Sequence, residues 1–187
     1  HMHELPPLIH KERDRMIDVH HTILPMTARP KPDATAMLAD AQLLDSGLYV
    51  FSPPDMAIHC AAHLLADGDM SGGMRNLWDF HCLLDELSEK DSGFWGALQS
   101  RARHHQLWGA VYLASRLSHD LYGTQIPVGW QKWGNADAFY SRRLLVRTGW
   151  GTQARPLTRL AFYIRSHLLR MPPLMLARHL FTKWRKG

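Results

Sequence analysis

Five segments between residues 53 and 146 carry apolar side chains at the three- and four-residue spacing of helices, and they constrain the fold most strongly. The clearest helix start is Ser52-Pro53-Pro54-Asp55, where a capping hydroxyl precedes proline and an acid follows in the first turn. We predict helices near 53–66, 74–88, 93–104, 106–122 and 136–146. With a further helix at 33–44 and two in the C-terminal tail, these segments predict a mainly α protein, a helical bundle of about six to eight helices.

The segment Met16–Ile23 has the alternation of a strand instead of helical spacing. Ile17 and Val19 alternate with Asp18 and His20, so Asp18 and His20 should share one face. The charged run before it is either a solvated turn or the arm of a hairpin. A lone strand is unstable, so we expect one or two short strands near the N-terminus.

The length of 187 residues fits one structural domain. Within it we predict an extended lead-in and strand at 1–32, a helical domain at 33–147, and a basic amphipathic helical tail at 148–187 packed on or beside that domain. The chain has two cysteines and no apolar run near the roughly 20 residues of a spanning helix. We expect a cytoplasmic protein, and His1-Met2 is typical of the remnant of an affinity tag.

Charge divides the chain into an acidic body and a basic tail. Residues 138–187 carry eleven of the 22 Lys and Arg and none of the 17 Asp and Glu. Such amphipathic helices suit an anionic membrane surface at which the protein is peripheral, a protein partner, or simple packing with a solvated basic face. The side chains that would make anion or membrane contacts are Arg159, Arg165, Arg170, Arg178, Lys183 and Arg185. No nucleic-acid-binding module is recognisable, so no sequence-specific nucleic-acid partner is expected.

His59 and His63 lie four residues apart and should share a helix face. Such a pair can bind a metal ion if the fold adds Asp79 or Asp18. The alternative is that both histidines are packing residues, since the Glu of a zinc protease and the His-Asp pair of metal phosphohydrolases are absent. The segment Asp67-Gly68-Asp69 is likewise either a divalent-cation site or a solvated loop.

Motifs for serine or cysteine nucleophiles, for a P-loop and for a dinucleotide-binding turn are absent from the sequence. Cys60 and Cys82 fit small core residues better than activated thiols. Ser71-Gly72-Gly73 is either an anion-binding turn or the lead-in to a helix.

Three motifs follow one another along the chain: Ile17-Asp18-Val19-His20, a Pro-started helix with Ile58-His59 and His63, and Leu77-Trp78-Asp79. This succession resembles the uncharacterised nucleotidyltransferase family of the polymerase-beta-like superfamily, and the tail segment 163–173 is similar to bacterial members. In that superfamily a Gly-Ser turn and a pair of acids begin the site. A third carboxylate on a later strand then completes a two-metal cradle for a nucleoside triphosphate.

The resemblance implies that Asp18 is the third, metal-binding carboxylate, with His20 beside it at the catalytic site, and that the short strands are left from an α+β nucleotidyltransferase sheet. The sequence has no Gly-Ser dipeptide and nothing before Asp18 to carry the first two acids. We therefore expect the C-terminal portion of such a protein, inactive alone. No cofactor is expected in this chain, whereas an intact parent would use Mg or Mn and a nucleoside triphosphate.

Two other functions stay open at this point. One is a noncatalytic interaction module whose basic tail binds a protein partner or an anionic membrane surface. The other, less favoured, is a small metal-dependent hydrolase that uses His59, His63 and Asp79. A homodimer formed through the unpaired strand is compatible with each of them.

Overall fold

A computed structural model describes residues 8–10, 12–13, 15–17, 19–66, 68–147, 151–170 and 173–185. Helices dominate these residues, which confirms the predicted mainly α fold of six to eight helices with short N-terminal strands. The helices are α1 (Ala34–Ala39), α2 (Pro53–Leu65), α3 (Gly73–Lys90), α4 (Phe94–His104), α5 (Trp108–Tyr122), α6 (Asp137–Leu144), α7 (Pro156–Arg170) and α8 (Pro173–Trp184). A 3₁₀ turn, Val128–Trp130, lies between α5 and α6.

Two antiparallel hairpins complete the secondary structure. Strand β1 (Leu8–His10) pairs with β2 (Arg15–Ile17), with Leu8 opposite Ile17. Strand β3 (Gln42–Leu43) pairs with β4 (Tyr49–Val50). Of the two alternatives for the charged run, Glu12 and Arg13 form the turn of the first hairpin and Arg15 begins β2.

The strand predicted to continue to Ile23 is wrong, because β2 ends at Ile17 and the chain bends through residues 21–24. Ile23 and Leu24 are consecutive and both buried in the core. A strand would send these two side chains to opposite faces, so the chain must turn to bury both. Asp18 lies outside the described residues.

Helix α1 is shorter than its apolar spacing predicts. Asp33 caps it as expected, because its Oδ1 accepts a hydrogen bond from the Ala36 N–H at 2.9 Å. The helix ends at Ala39, not near Leu44, and residues 42–43 join the second hairpin instead. Leu38, Leu43 and Leu44 are exposed, so the apolar spacing in this segment does not mark a buried face.

Helix α2 is the centre of the core and contacts α3, α4 and α5. It begins at Pro53 as predicted, but the Ser52 hydroxyl does not cap it and instead donates to Asp55 Oδ2 at 3.0 Å. Small side chains on α2 allow its neighbours to approach closely. Its buried apolar residues are Ala57, Ile58, Ala61, Ala62, Leu64 and Leu65.

The first tail helix is packed onto the body. Phe162 of α7 is fully buried and stacks on Phe139 of α6, with ring centroids 4.7 Å apart. Arg165 donates through Nη2 to the Leu65 carbonyl at 2.7 Å, which ties α7 to the end of α2. Within the described ranges, no helix is long and apolar enough to cross a membrane.

Candidate functional site

His59 and His63 meet on the outer face of α2. Their Nε2 atoms are 3.2 Å apart and the rings lie edge to face, as the four-residue spacing predicts. The ring of Phe51, in the segment before the helix, lies against His59 with centroids 5.5 Å apart. One imidazole therefore donates a hydrogen bond and the other accepts it, or both lone pairs face a shared ligand.

The histidine pair forms a wall of two neighbouring cavities. The first encloses about 370 Å³ between α1, α2 and the segment after β2, and His20 lines it with His59, His63 and Phe51. The second, which is more open, lies between α2 and α3 and is lined by His59, Cys60, His63 and Asp79. The structure thus brings the predicted His59, His63 and Asp79 to one surface and places His20 in the adjoining cavity.

No metal site is completed by these groups alone. Among the residues that the structure describes, no three His, Cys, Asp or Glu side chains gather closely enough to hold a metal ion. The hydrolase hypothesis requires Asp79 to join the two histidines around one metal ion. The Asp79 carboxylate lines the second cavity but does not form such a cluster with the histidine pair.

The electrostatics of the pair follow from partial burial. Burial, together with the smaller effects of the neighbouring His63 and His20, lowers the pKa of His59 from its ordinary 6.5 to about 4. His59 is consequently a neutral imidazole near pH 7, in which one ring nitrogen donates a hydrogen bond and the other accepts one.

This pKa predicts that the fold loses stability between pH 7 and pH 5. The unfolded chain binds more protons at His59 than the folded chain does below pH 6.5, so the free energy of unfolding falls as the pH falls. We expect His59→Gln to remove about 1 to 2 kcal/mol of that fall, allowing for partial exposure. Urea unfolding at both pH values, with EDTA present, measures it.

The exposed His21 provides the matched variant for this measurement. The His21→Gln protein controls for the loss of one imidazole at an exposed position. Equal pH dependence in the parent and in His59→Gln would show that the ring is not desolvated as described.

Cys60 is not an activated nucleophile. Burial, together with the smaller effect of the nearby Asp79 carboxylate, raises the pKa of its thiol to about 11. The thiol donates to the Asn76 carbonyl at 3.5 Å. The expectation that both cysteines are core residues is wrong for Cys82, which is exposed because it lies beside the buried stripe of α3.

The two thiols should therefore differ in their rates of alkylation. With iodoacetamide at pH 8, we expect Cys82 to react at least about tenfold faster than Cys60, since the thiolate is the reactive form. Peptide mass spectrometry after timed quenching measures both rates. Faster labelling of Cys60 would contradict its assigned environment.

The predicted basic contacts divide into internal and external groups. Arg165 is engaged within the fold, where its Nε donates to the Tyr140 hydroxyl at 3.1 Å. Arg159, Arg178 and Arg185 have exposed side chains. The side chains of Arg170 and Lys183 lie outside the described residues, as does Asp67 of the predicted Asp-x-Asp loop.

Sequence reasoning missed one group of polar residues, the arginines at and just after the C-terminal end of α6, which are buried or line a cavity. Arg143 is buried beside Asp69, and Arg147 lines the same cavity. Ser71-Gly72-Gly73, for which an anion-binding turn was one of two interpretations, was the local signal that could have found them. Nothing in the sequence pairs that turn with Arg143.

A family model described as "Uncharacterised nucleotidyltransferase" matches residues 2–123, from the N-terminal hairpin to the end of α5. The match includes His20, His59, His63 and Asp79 and stops before the basic tail. Comparison with curated proteins gave no significant match, and neither did comparison with solved structures.

Proposed function

Because the chain belongs to the uncharacterised nucleotidyltransferase family, we propose that it supplies one carboxylate, Asp18, and the helical domain of a nucleotidyl-transfer site. The first two carboxylates and the Gly-Ser turn of that site come from sequence that this chain does not contain. The chain by itself does not transfer nucleotides. The family match across the helical domain is the observation that carries this proposal.

The donor groups on hand do not suit the Mg or Mn pair that the family implies. These hard ions prefer several oxygen ligands, which in this superfamily are clustered carboxylates. The described residues that line the two cavities contribute one carboxylate, Asp79, and otherwise offer imidazoles and a protonated thiol. The described residues of this chain therefore do not form that metal site by themselves.

The N-terminal hairpin supports the proposal through its apolar surface. Leu8, Ile9, Met16 and Ile17 are 57 to 67% exposed. They are consecutive on each strand, so both faces of the hairpin are apolar, as in strands that lie inside a sheet covered on both sides. In the described part of the chain, neither strand pairs with anything except the other. Further strands would bury this surface and satisfy the open edges.

The cavity behind His20 is the part of the proposed site that this chain builds. Its walls combine four imidazoles with the apolar side chains of Met37, Leu38 and Phe51. A cavity of this kind holds an apolar ring and orients it through a few polar groups. In the proposed site it receives the part of the substrate next to the phosphates, while the carboxylate of Asp18, two residues before His20 in sequence, would supply one oxygen ligand to a divalent metal ion.

The genomic reading frame upstream of His3 tests the origin of the missing groups. A frame that continues to a Gly-Ser turn with Asp-x-Asp supports the proposal, and the longer protein should then transfer a nucleotide in the presence of Mg or Mn. Asp18→Asn in that longer protein should lower the rate by at least about a hundredfold, since each ligand of a metal centre is needed for its geometry. Unchanged activity of that variant would overturn the role of Asp18.

A second candidate function is binding to an anionic membrane surface through the tail. The observation that favours it is exposed apolar side chains beside exposed arginines, because Leu174 of α8 is 84% exposed and Arg178 follows one turn later. Co-sedimentation with vesicles containing phosphatidylserine should occur at low salt and weaken at high salt. Absence of binding at low salt would eliminate this function.

A further inference from the structure

A second polar cavity lies at the start of α3, away from the histidines. It encloses about 140 Å³ between the turn 69–74 and the C-terminal end of α6, which contributes Arg143. Arg147, just after α6, and Arg159 of α7 also line it. Among the residues that the structure describes, it shares no lining residue with either histidine cavity.

The turn is built so that the end of α6 comes close to the backbone at the start of α3. Gly72 has a φ of +71°, a conformation that side chains disfavour. A Cβ on Gly73 would lie 2.8 Å from Leu144 Cδ2 and 3.1 Å from Leu64 Cδ1. These two glycines therefore let Arg143, the neighbour of Leu144, sit against the N-terminus of an 18-residue helix.

Arg143 is the unusual member of this cavity. It is only 4% exposed, and its Nη2 lies 3.3 Å from Asp69 Oδ2. Its buried Nε finds no hydrogen-bond acceptor among the described residues. A buried donor without a partner is costly, so an acceptor in the cavity would stabilise this arrangement.

The charges in the cavity do not cancel. The described charged residues that line it are three arginines and Asp69, which leaves two positive charges in excess. Asp69 is itself occupied, because its Oδ1 accepts from the Ser71 N–H at 2.9 Å and its Oδ2 faces Arg143. The dipole of α3 adds a further preference for an anion, although the Gly73 and Arg75 N–H groups already donate to the Met70 and Gly72 carbonyls.

We propose that this cavity binds the phosphate group of a phosphomonoester or of free inorganic phosphate. A dianion matches the excess of two positive charges, and arginine with a helix N-terminus is the usual pairing for phosphate oxygens. The cavity volume of about 140 Å³ accommodates one phosphate group. This site does not depend on the nucleotidyl-transfer proposal.

Isothermal titration calorimetry of the full chain with sodium phosphate tests the site, with sodium chloride at equal ionic strength as the reference. We expect saturable binding of phosphate, weakened about fivefold to tenfold by Arg147→Gln and by Arg159→Gln, since each loses one charge-assisted hydrogen bond. Both arginines are exposed, so both variants should fold. Arg143→Lys is a third variant, which is scored only if its far-UV circular dichroism matches that of the parent.

Arg178→Gln is the matched control, because it removes an exposed arginine of α8 that does not line the cavity. Its phosphate affinity should equal that of the parent. A second titration with glycerol 2-phosphate separates the two sources: binding of both probes assigns the site to phosphomonoesters, and binding of inorganic phosphate alone assigns it to the free ion. No saturable binding of either probe, or an equal loss in Arg178→Gln, would overturn the proposal.

Discussion

Asp55→Ala is expected to lower the free energy of unfolding by about 3 to 5 kcal/mol, because it removes the buried partner of Arg101. Asp55 is fully buried at the start of α2. Arg101 Nε donates to Asp55 Oδ1 at 2.9 Å, and Nη2 lies 2.8 Å from Oδ2. His105 Nε2 lies 3.3 Å from Oδ1, so one carboxylate joins α2 to the end of α4.

The network also includes α1, which increases the expected loss. The same Nη2 of Arg101 donates to the Ala36 carbonyl at 2.9 Å. His105 Nδ1 accepts from the Asp33 N–H at 3.2 Å, which places the proton of the neutral ring on Nε2, towards Asp55. Burial lowers the pKa of His105 and so favours that neutral ring, although the Asp55 carboxylate acts in the opposite direction.

Asp40→Ala is the matched control, because Asp40 pairs with the same arginine at the surface. Its Oδ2 lies 2.8 Å from Arg101 Nη1, and its side chain is 56% exposed. An exposed ion pair contributes at most about 1 kcal/mol, so this variant should remain close to the parent. Urea unfolding followed by tryptophan fluorescence measures both variants, and equal losses would contradict the assigned burial.

The second large effect is expected for Phe162→Ala, at about 3 to 5 kcal/mol, because a fully buried aromatic ring leaves a cavity. Phe162 stacks on Phe139 and meets the edge of the Tyr140 ring at a centroid distance of 5.3 Å. The guanidinium of Arg165 lies 5.8 Å from the centre of the same ring. The variant should still unfold as a whole in a single transition, with its midpoint at a lower urea concentration than that of the parent.

Leu160→Ala provides the control on the same helix, since Leu160 is half exposed. Its expected change is within about 0.5 kcal/mol. If the tail folded as a separate unit, Phe162→Ala would leave the main transition unchanged and add a second, earlier one. That result would contradict the packing of α7 onto the body.

The helices were predictable where local signals and burial agree. Helix α2 was predicted at 53–66 and spans Pro53–Leu65, because prolines at its start and a continuous buried face specify it locally. The buried stripe of α3, formed by Leu77, Phe80, Leu84 and Leu87, also follows from spacing alone. These features depend on neighbours three or four residues apart.

The errors occur where tertiary burial overrides a local pattern. Alternation predicted a strand through Ile23, but the core takes both Ile23 and Leu24, and the chain bends to bury them. Likewise, α1 ends at Ala39 because the next residues pair with β4. Neither of these contacts can be predicted from local periodicity.

The candidate site was likewise predictable only where its contacts lie within one helix. The contact between His59 and His63 follows from helical spacing, whereas the position of Asp79 depends on how α3 packs on α2. His20 reaches the pair only because the chain turns after β2. The meeting of Arg143 with Asp69 depends on α6 and on the close approach at Gly73, which no local pattern predicts.

Transfer from radiolabelled nucleoside triphosphates by this chain alone tests the central claim most directly. With Mg or Mn present, we expect no transfer above a blank without protein, because the Gly-Ser turn and the first two carboxylates are not in the sequence. Asp18→Ala and the exposed Asp45→Ala are assayed beside the parent. Robust transfer that is lost in Asp18→Ala and kept in Asp45→Ala would contradict the claim that this chain supplies only part of the site.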